Sequence, residues 1–425
     1  MRPRRGERRG ALRDDASEVV PPAALYVHVP VCSSKCGYCD FFSIPVSALS
    51  EDFEVELVEA TLERASVLSK RFGAESFDTI YIGGGTPSLL SPSALERLLG
   101  GIELLTRGTS TRGPSEWTVE ANPDSLGAEN LEIMNRHGVT RLSIGVQSLD
   151  RDELATLGRR HRPEAALDAL RLAAEAGMSV SADLIAGIPS PRESTRGFGN
   201  TDRLAHFARE LLDAGAAHLS IYDLTIEENT PLATARKSLR FPDEDEDWEA
   251  RQRLESCLFA AGMRRYEVSN YAAIGNECRH NLAYWRMDSY IGAGPGAVST
   301  IARASGTSLR IEEPRKVVDY RRLAGDTADE TEIGLRDAVF ESIMMAFRTS
   351  FGLDLSSFRS RFGLEAEALI GDSMAAWDKK LIAGEPWPGF AESRGPALLG
   401  EGLDFLNRFL GDCLEELHRK MPVEF

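Results

Sequence analysis

Tyr26-Val27-His28-Val29-Pro30-Val31-Cys32-Ser33-Ser34-Lys35-Cys36-Gly37-Tyr38-Cys39 is the stretch on which the fold turns. It reads as a strand running into a loop that carries three cysteines, spaced four and three residues apart. That spacing lets one loop wrap three corners of an iron–sulfur cubane and leaves the fourth iron without a cysteine. An iron left open in this way can chelate the amino and carboxylate groups of a small molecule and exchange electrons with it, whereas four thiolates would close the cluster. A structural zinc loop, with His28 or a distant residue as fourth ligand, uses the same residue types, and so do three unrelated buried thiols. His28 alternates out of phase with Val27 and Val29, on the strand face shared with Tyr26, and nothing in the spacing sets it beside the thiols.

Outward from this loop, short β-branched and aromatic runs recur at Ala24 to Val29, Thr79 to Ile82, Trp117 to Glu120, Arg141 to Gly145, Ser179 to Leu184 and His218 to Tyr222. Between and after them, apolar residues at three and four spacing predict helices over Glu51 to Lys70, Ser93 to Leu105, Ala128 to His137, Arg151 to Leu157, Pro163 to Ala176 and Asp202 to Ala214. Six βα units in sequence imply parallel strands with helical crossovers, hence an α/β barrel or an open doubly wound sheet. In both, the active face lies at the carboxyl ends of the strands. The alternation stops after Leu232. The acidic run Asp243 to Asp247 then precedes a helix expected from about Trp248 to Ala261, as a solvated start that complements the helix dipole. Residues 264 to 330 look α+β, and residues 333 to 425 mainly helical, with periodic segments at Asp337 to Phe347, Leu364 to Asp372 and Gly402 to Phe409.

A chain of 425 residues exceeds what one core usually holds. The expected division is a disordered basic tail over 1–22, a barrel over 23–235, an α+β extension over 236–330 and a helical domain over 331–425. Net charge is −17, although Arg2, Arg4, Arg5, Arg8, Arg9 and Arg13 make the start basic. The acidic remainder argues against nucleic acid as a partner. No apolar run approaches the length of a transmembrane segment, and the basic start lacks the apolar stretch of a signal peptide. Of the six cysteines, Cys257, Cys278 and Cys413 are scattered, which suits a reducing cytoplasmic location in which thiolates stay free for metal.

Polar groups gather where the strands end: Gly83-Gly84-Gly85-Thr86-Pro87, Glu120-Ala121-Asn122-Pro123, Gly145-Val146-Gln147, Asp183-Leu184-Ile185 and Tyr222-Asp223. Each alone has a structural reading, with Asn122 and Pro123 as a helix start and the glycines as a turn. Their convergence on the rim over which the cysteine loop hangs favours a site.

These motifs, with Tyr38 inside the cysteine triplet, resemble the radical S-adenosylmethionine superfamily and, more narrowly, the HemN/HemW family. The resemblance continues through Tyr266-Glu267-Val268-Ser269-Asn270, His280-Asn281-Leu282-Ala283-Tyr284-Trp285 and Tyr290-Ile291-Gly292-Ala293-Gly294-Pro295-Gly296-Ala297. It implies a partial (β/α)6 TIM-like barrel with a [4Fe-4S] cluster on Cys32, Cys36 and Cys39 and S-adenosylmethionine on the open iron. It further implies that Tyr26, the backbone of Tyr38, Gly85, Thr86, Glu120, Gln147, Arg159, Asp183, Asp223 and Val298 line the nucleoside and methionine.

Two activities occur in the family: an oxygen-independent coproporphyrinogen III oxidase that decarboxylates propionate side chains by radical chemistry, and a haem chaperone. The oxidase carries a further cysteine two positions beyond the third, where this chain has Phe41, and a long N-terminal extension, where this chain has a short Arg-rich stretch. His280-Asn281-x-x-Tyr284-Trp285 resembles the signature of the chaperone type. The expectation is therefore a carrier of haem that hands it to acceptor proteins, respiratory and membrane-bound ones included. His280 is the candidate haem ligand, with Cys278 as an alternative, since imidazole can ligate iron while aromatic rings pack on the macrocycle. A His-Asn pair near Tyr and Trp is equally how a buried polar corner is satisfied. Departures from the family pattern are Ser190 to Thr195, an insertion-like stretch from Arg196 to Thr201, and Met345-Ala346-Phe347-Arg348 where Gly-Leu-Arg is usual. A radical methyl or alkyl transferase would share the same barrel.

Overall fold

Residues 19–106, 113–192, 201–317, 320, 328–377, 381–383, 395–398 and 401–422 are described by a computed structural model. The Arg-rich start through residue 18 and the greater part of the insertion-like stretch lie outside them.

The six predicted strands form as β1 (Ala24–Val29), β2 (Thr79–Gly84), β3 (Glu116–Ala121), β4 (Arg141–Gln147), β5 (Ser179–Ala186) and β6 (His218–Asp223). Each pairs in parallel with the next. The crossovers carry α1 (Glu51–Arg71), α2 (Pro92–Thr106), α3 (Ala128–Arg136), α4 (Arg151–Thr156), α5 (Pro163–Glu175) and α6 (Arg203–Asp213). The alternation visible in the sequence assigns the two faces. Leu25, Val27, Ile80, Ile82, Val119, Leu142, Ile144 and Leu219 turn outward into one core with Leu95, Leu98, Leu131, Leu170 and Leu211 of the helices. Each such side chain contributes about 1.5–3 kcal/mol on burial, so a register slip that exchanged the faces would forfeit most of this core.

β1 and β6 do not pair with each other, which leaves the barrel partial. After α7 (Glu244–Ala260) come β7 (Met263–Arg265) and β8 (Asn270–Ala273), antiparallel on the β6 edge. On the other edge β9 (Tyr290–Ala293) pairs with β1 in parallel, and β10 (Val298–Ala302), β11 (Ser308–Glu312) and β12 (Asp329–Ile333) follow antiparallel. The resulting twelve-stranded sheet holds residues 19 and 20 as well, since Val19 bridges Arg303 and the Val20 N–H donates to Ala302 O at 2.9 Å. The chain thus meets the sheet inside the stretch expected to be a tail.

The acidic run is part of α7 itself. Asp243 accepts from the Glu246 N–H at 2.8 Å while the Glu246 side chain accepts from the Asp243 N–H, a capping box that starts the helix four residues earlier than its apolar periodicity indicates. The C-terminal helices α9 (Leu335–Ala346), α10 (Leu355–Phe362), α11 (Ala366–Ala376) and α12 (Leu406–Lys420) enclose a separate core around Phe347, Phe358 and Phe409.

Between β8 and β9 the short helix α8 (Arg279–Trp285) is anchored under the barrel by Glu116 of β3. The buried Glu116 carboxylate accepts the Arg279 and His280 N–H groups, both at 3.0 Å, and the Cys278 thiol at 3.4 Å. It serves the orphan donors of a helix start from 163 residues away. Glu116→Ala strands the buried His280 N–H at about 1–3 kcal/mol and the part-buried Arg279 N–H at about 1 kcal/mol, so a loss of about 2–4 kcal/mol is expected in denaturant unfolding.

Candidate functional site

The strand residues opposite in phase to the core turn into the barrel: Tyr26 and His28, Tyr81 and Gly83, Glu120, Ser143 and Gly145, Ser181 and Asp183, Ser220 and Tyr222. Register sets Glu120 beside Ser143, Gly145 beside Asp183, and Asp183 beside Ser220. Above them, at the carboxyl ends, opens a cavity of about 740 Å³. Its walls bring together Cys32, Cys36, Cys39, Tyr38, Gly85, Thr86, Glu120, Gln147, Arg159 and Asp183, which the sequence places far apart.

The cysteine loop is tied at both ends and in the middle. Val31–Cys32 pairs with Ile44–Pro45, and the Gly37 N–H donates to Leu157 O at 2.9 Å while Gly37 O accepts from the Leu232 N–H at 2.8 Å. A Cβ on Gly37 would stand 3.3 Å from Leu157 O, so a small residue lets the loop lie against the α4 turn. The three thiols are free and half-buried, and burial raises those of Cys32 and Cys39 above the usual thiol range. Binding a metal there releases protons from them. Arg159 reaches across, donating to Cys36 Sγ at 3.6 Å, to Asn122 Oδ1 at 2.8 Å and to Gly145 O at 2.7 Å. Its buried Nε has no partner within the protein, which fits a wall built to meet an anionic or hydrogen-bond-accepting group.

The glycine turn and Glu120 are fitted to one another. A Cβ on Gly83 would lie 2.7 Å from the Glu120 carboxyl, and the Gly84 N–H and Tyr81 OH donate to that carboxylate at 3.0 and 2.9 Å. Burial pushes Glu120 up to about 7, against the pull of these donors. Asp183 is likewise raised by burial, to about 6, although the Ser220 and Ser143 hydroxyls favour its charged form. Carboxyls held this way can accept hydrogen bonds from an ammonium or a hydroxyl and gain charge as they do so. Gln147 takes a left-handed conformation, φ 66°, at the bulge between Gly145 and Gln147, and this aims the end of β4 at the cavity.

Three expectations need correction or refinement. As a zinc ligand His28 fails: its Nδ1 is bonded to Tyr26 OH at 3.0 Å and its Nε2 to Phe42 O at 3.2 Å. Among the described residues no three His, Cys, Asp or Glu side chains converge on a single ion, whereas a cubane spreads its thiolates over separate corners. His280 occupies the polar corner and not an open haem face. It is fully buried, with Nδ1 bonded to Thr79 Oγ1 and Nε2 to Tyr284 OH, both at 2.9 Å, and burial drives its pKa down to about 3. Cys278 is buried against Glu116, and burial raises its thiol pKa well above the usual thiol range. The other part of that motif does reach open space, since Tyr284 and Trp285 line a second cavity.

Asp223 stands on the outward phase of β6, at the rim of the first cavity, ion-paired with Arg251. Tyr26 lies behind His28, and Val298 lies on β10 where it pairs with Glu312; Gly296 and Arg315 form the cavity wall on that side. Tyr81 and Asn122 were missed as site residues. Tyr81 was within reach, being in phase with Gly83 on β2; Asn122, read as a helix start, instead donates to Thr86 Oγ1 at 3.0 Å. Arg315 carried no sequence signal.

Residues 26–198 match the model of the Radical SAM superfamily, and residues 333–383 match that of the HemN C-terminal domain. The protein named heme chaperone HemW in Escherichia coli (strain K12) is 36% identical over 334 residues, which cover 77% of this chain and 83% of that protein. Heme chaperone HemW of Bacillus subtilis (strain 168) is 31% identical, covering 82% of this chain and 89% of its own. The mouse (Mus musculus) protein named radical S-adenosyl methionine domain-containing protein 1, mitochondrial, is 33% identical over 78% of this chain and 74% of its own. In fold, the chain is similar to the solved structure of coproporphyrinogen III oxidase (HemN) from Escherichia coli, with a TM-score of 0.73 over 95% of this chain and 92% of that one at 17% identity. With its barrel, its cysteine loop and relatives of this extent, the chain belongs to the HemW family of the radical SAM superfamily.

Proposed function

We propose that this chain is a haem carrier that holds a [4Fe-4S] cluster on Cys32, Cys36 and Cys39, binds S-adenosylmethionine beside it, and passes haem to acceptor proteins. The cluster and S-adenosylmethionine are what membership of the superfamily implies. The observation that carries the reading is the convergence of three half-buried thiols with Arg159, Glu120 and Asp183 in one cavity at the strand ends. When bound, the cluster would supply an open iron for the amino and carboxylate groups of S-adenosylmethionine. The chain's own residues then bind and orient. Glu120 and Asp183 accept from the ammonium and ribose hydroxyls, Gly85, Thr86 and the Tyr38 backbone border the ligand, Gln147 closes the β4 side, and Arg159 steadies Cys36. Asp223 and Val298 are the outermost of the proposed contacts.

Phe41 favours the carrier over the oxidase. It lines the cavity, 66% exposed, at the position where the oxidase has its additional cysteine. Among the described residues no helix is long and apolar enough to cross a membrane, and we assign the chain to the cytoplasm, with acceptors that include respiratory and membrane-bound proteins. The test is anaerobic reconstitution followed by two assays on one preparation: haem uptake by absorbance and coproporphyrinogen decarboxylation by product mass. Stoichiometric haem uptake without decarboxylation is expected, and decarboxylation without haem uptake overturns the carrier reading. His280→Ala should leave the haem absorbance band where it is. It should lower stability by about 2–4 kcal/mol, since the Thr79 and Tyr284 hydroxyls lose their buried partner.

A further inference from the structure

The second cavity, of about 630 Å³, opens between β8, α8 and α9 and is walled by Tyr284, Trp285, Met287, Met344 and Met345. Its volume lies within the roughly 300–1,000 Å³ of small-molecule sites, and its lining of rings and thioethers suits a large flat apolar ligand. Two acceptors break that apolar surface. Glu267 and Asn270 also line the cavity, are 1% and 3% exposed, and keep Oε1 and Oδ1 without a hydrogen-bond partner. Glu267 is held in place from the other side, its Oε2 accepting from the Ser269 N–H at 3.1 Å and its backbone bridging Thr349. Burial raises its carboxyl to about 7, against the pull of the Ser269 N–H and of the nearby Arg265 guanidinium. Two buried oxygens without donors constitute an electronegative floor, and such a floor is stabilised by an occupant with a positive centre. Arg310, paired with Glu341 at 3.0 Å, stands on another part of the wall, where a carboxylate edge of the same occupant would find a cation.

A ferric porphyrin has this chemistry: a flat apolar ring, one net positive charge at its metal centre and carboxylates on its edge. We infer that the second cavity is the haem seat, with Glu267 and Asn270 facing the cationic ferric centre and Trp285, Met344 and Met345 packed on the ring. The inference rests on the haem-carrier reading and deepens it, since it names the residues and the charge state they select. Ferrous haem lacks the central charge. The carboxylate of Glu267 therefore discriminates between oxidation states, and ferric haem binds at least about tenfold more tightly than ferrous.

The experiment titrates the anaerobically reconstituted full chain with ferric haem and, in the presence of dithionite, with ferrous haem, following the Soret band. Iron content and the spectral response to S-adenosylmethionine serve as checks on the first cavity. Wild type should show the ferric preference, Glu267→Gln should abolish it, and Trp285→Ala should weaken both forms about tenfold, with the first cavity unchanged. Met344→Gln, on a half-buried wall position, settles the location by the same weakening should Glu267→Gln fail to fold. Wild-type affinities in Trp285→Ala and Met344→Gln place haem elsewhere and overturn the inference while the carrier reading stands. Equal ferric and ferrous affinities in wild type overturn the role of Glu267. Absence of haem binding by wild type removes the inference and the carrier reading together.

Discussion

Cys36→Ala is expected to reduce the iron of the anaerobically reconstituted chain from about four atoms to background, with loss of the iron–sulfur absorbance. Three thiols serve the proposed cluster, and removing one leaves two iron corners bare where no other cysteine lines the cavity. The neighbouring side chains do not substitute, because His28 is bonded at both ring nitrogens and Arg159 supplies only donors. The fold should survive. Cys36 is half-buried in a loop held by backbone contacts of Gly37, outside the core that Leu25, Val27 and the helices build. Iron analysis and far-ultraviolet circular dichroism on one sample test both halves of the expectation. Iron retained at the wild-type level would move the cluster to another part of the chain.

Gly84→Ala should be nearly as damaging, through sterics alone. Gly84 has φ +99°, and a Cβ there would lie 2.3 Å from Cε1 and Nδ1 of His28. The left-handed backbone costs an alanine about 1–2 kcal/mol. The imidazole cannot swing aside without giving up its bonds to Tyr26 and Phe42, at about 0.5–1.5 kcal/mol each. The alternative is for the turn to move, which withdraws the Gly84 N–H from Glu120. A stability loss of about 3 kcal/mol and at least a hundredfold weaker response of the cluster spectrum to S-adenosylmethionine are therefore expected. Gly262→Ala is the control, since Gly262 has φ +84° but nothing within 4 Å of its Cβ position. It should cost about 1 kcal/mol and leave the S-adenosylmethionine response unchanged. Equal effects of the two would show that backbone strain, and not the fit to His28, sets the loss.

The strands, their inward faces and the cysteine loop were legible because period-two alternation and residue spacing are local signals. Glu120, Gln147 and Asp183 share a phase with their strands' polar residues, so the sequence already held the rule that gathers them. What was not legible depends on partners distant in the chain. His280 is engaged by Thr79, 201 residues away, and Cys278 by Glu116, 162 residues away, and no spacing announces either contact. The second cavity draws on positions from Tyr222 to Met345, on strand, turn and helix alike. The departure at Met345 now has a location, on that wall. The start of α7 was misplaced because a capping box, and not apolar periodicity, begins the helix.

Tyr222 belongs to the walls of both cavities. A phenol ring shared by two chambers has one rotamer at a time, so an occupant that selected its orientation on one side would preset the shape of the other. Thermodynamic reciprocity then ties the two affinities together: whatever factor a guest in one chamber imposes on its neighbour, the neighbour returns in full. On the proposed carrier reading, such coupling would need no moving domain, only the one ring that the two walls share.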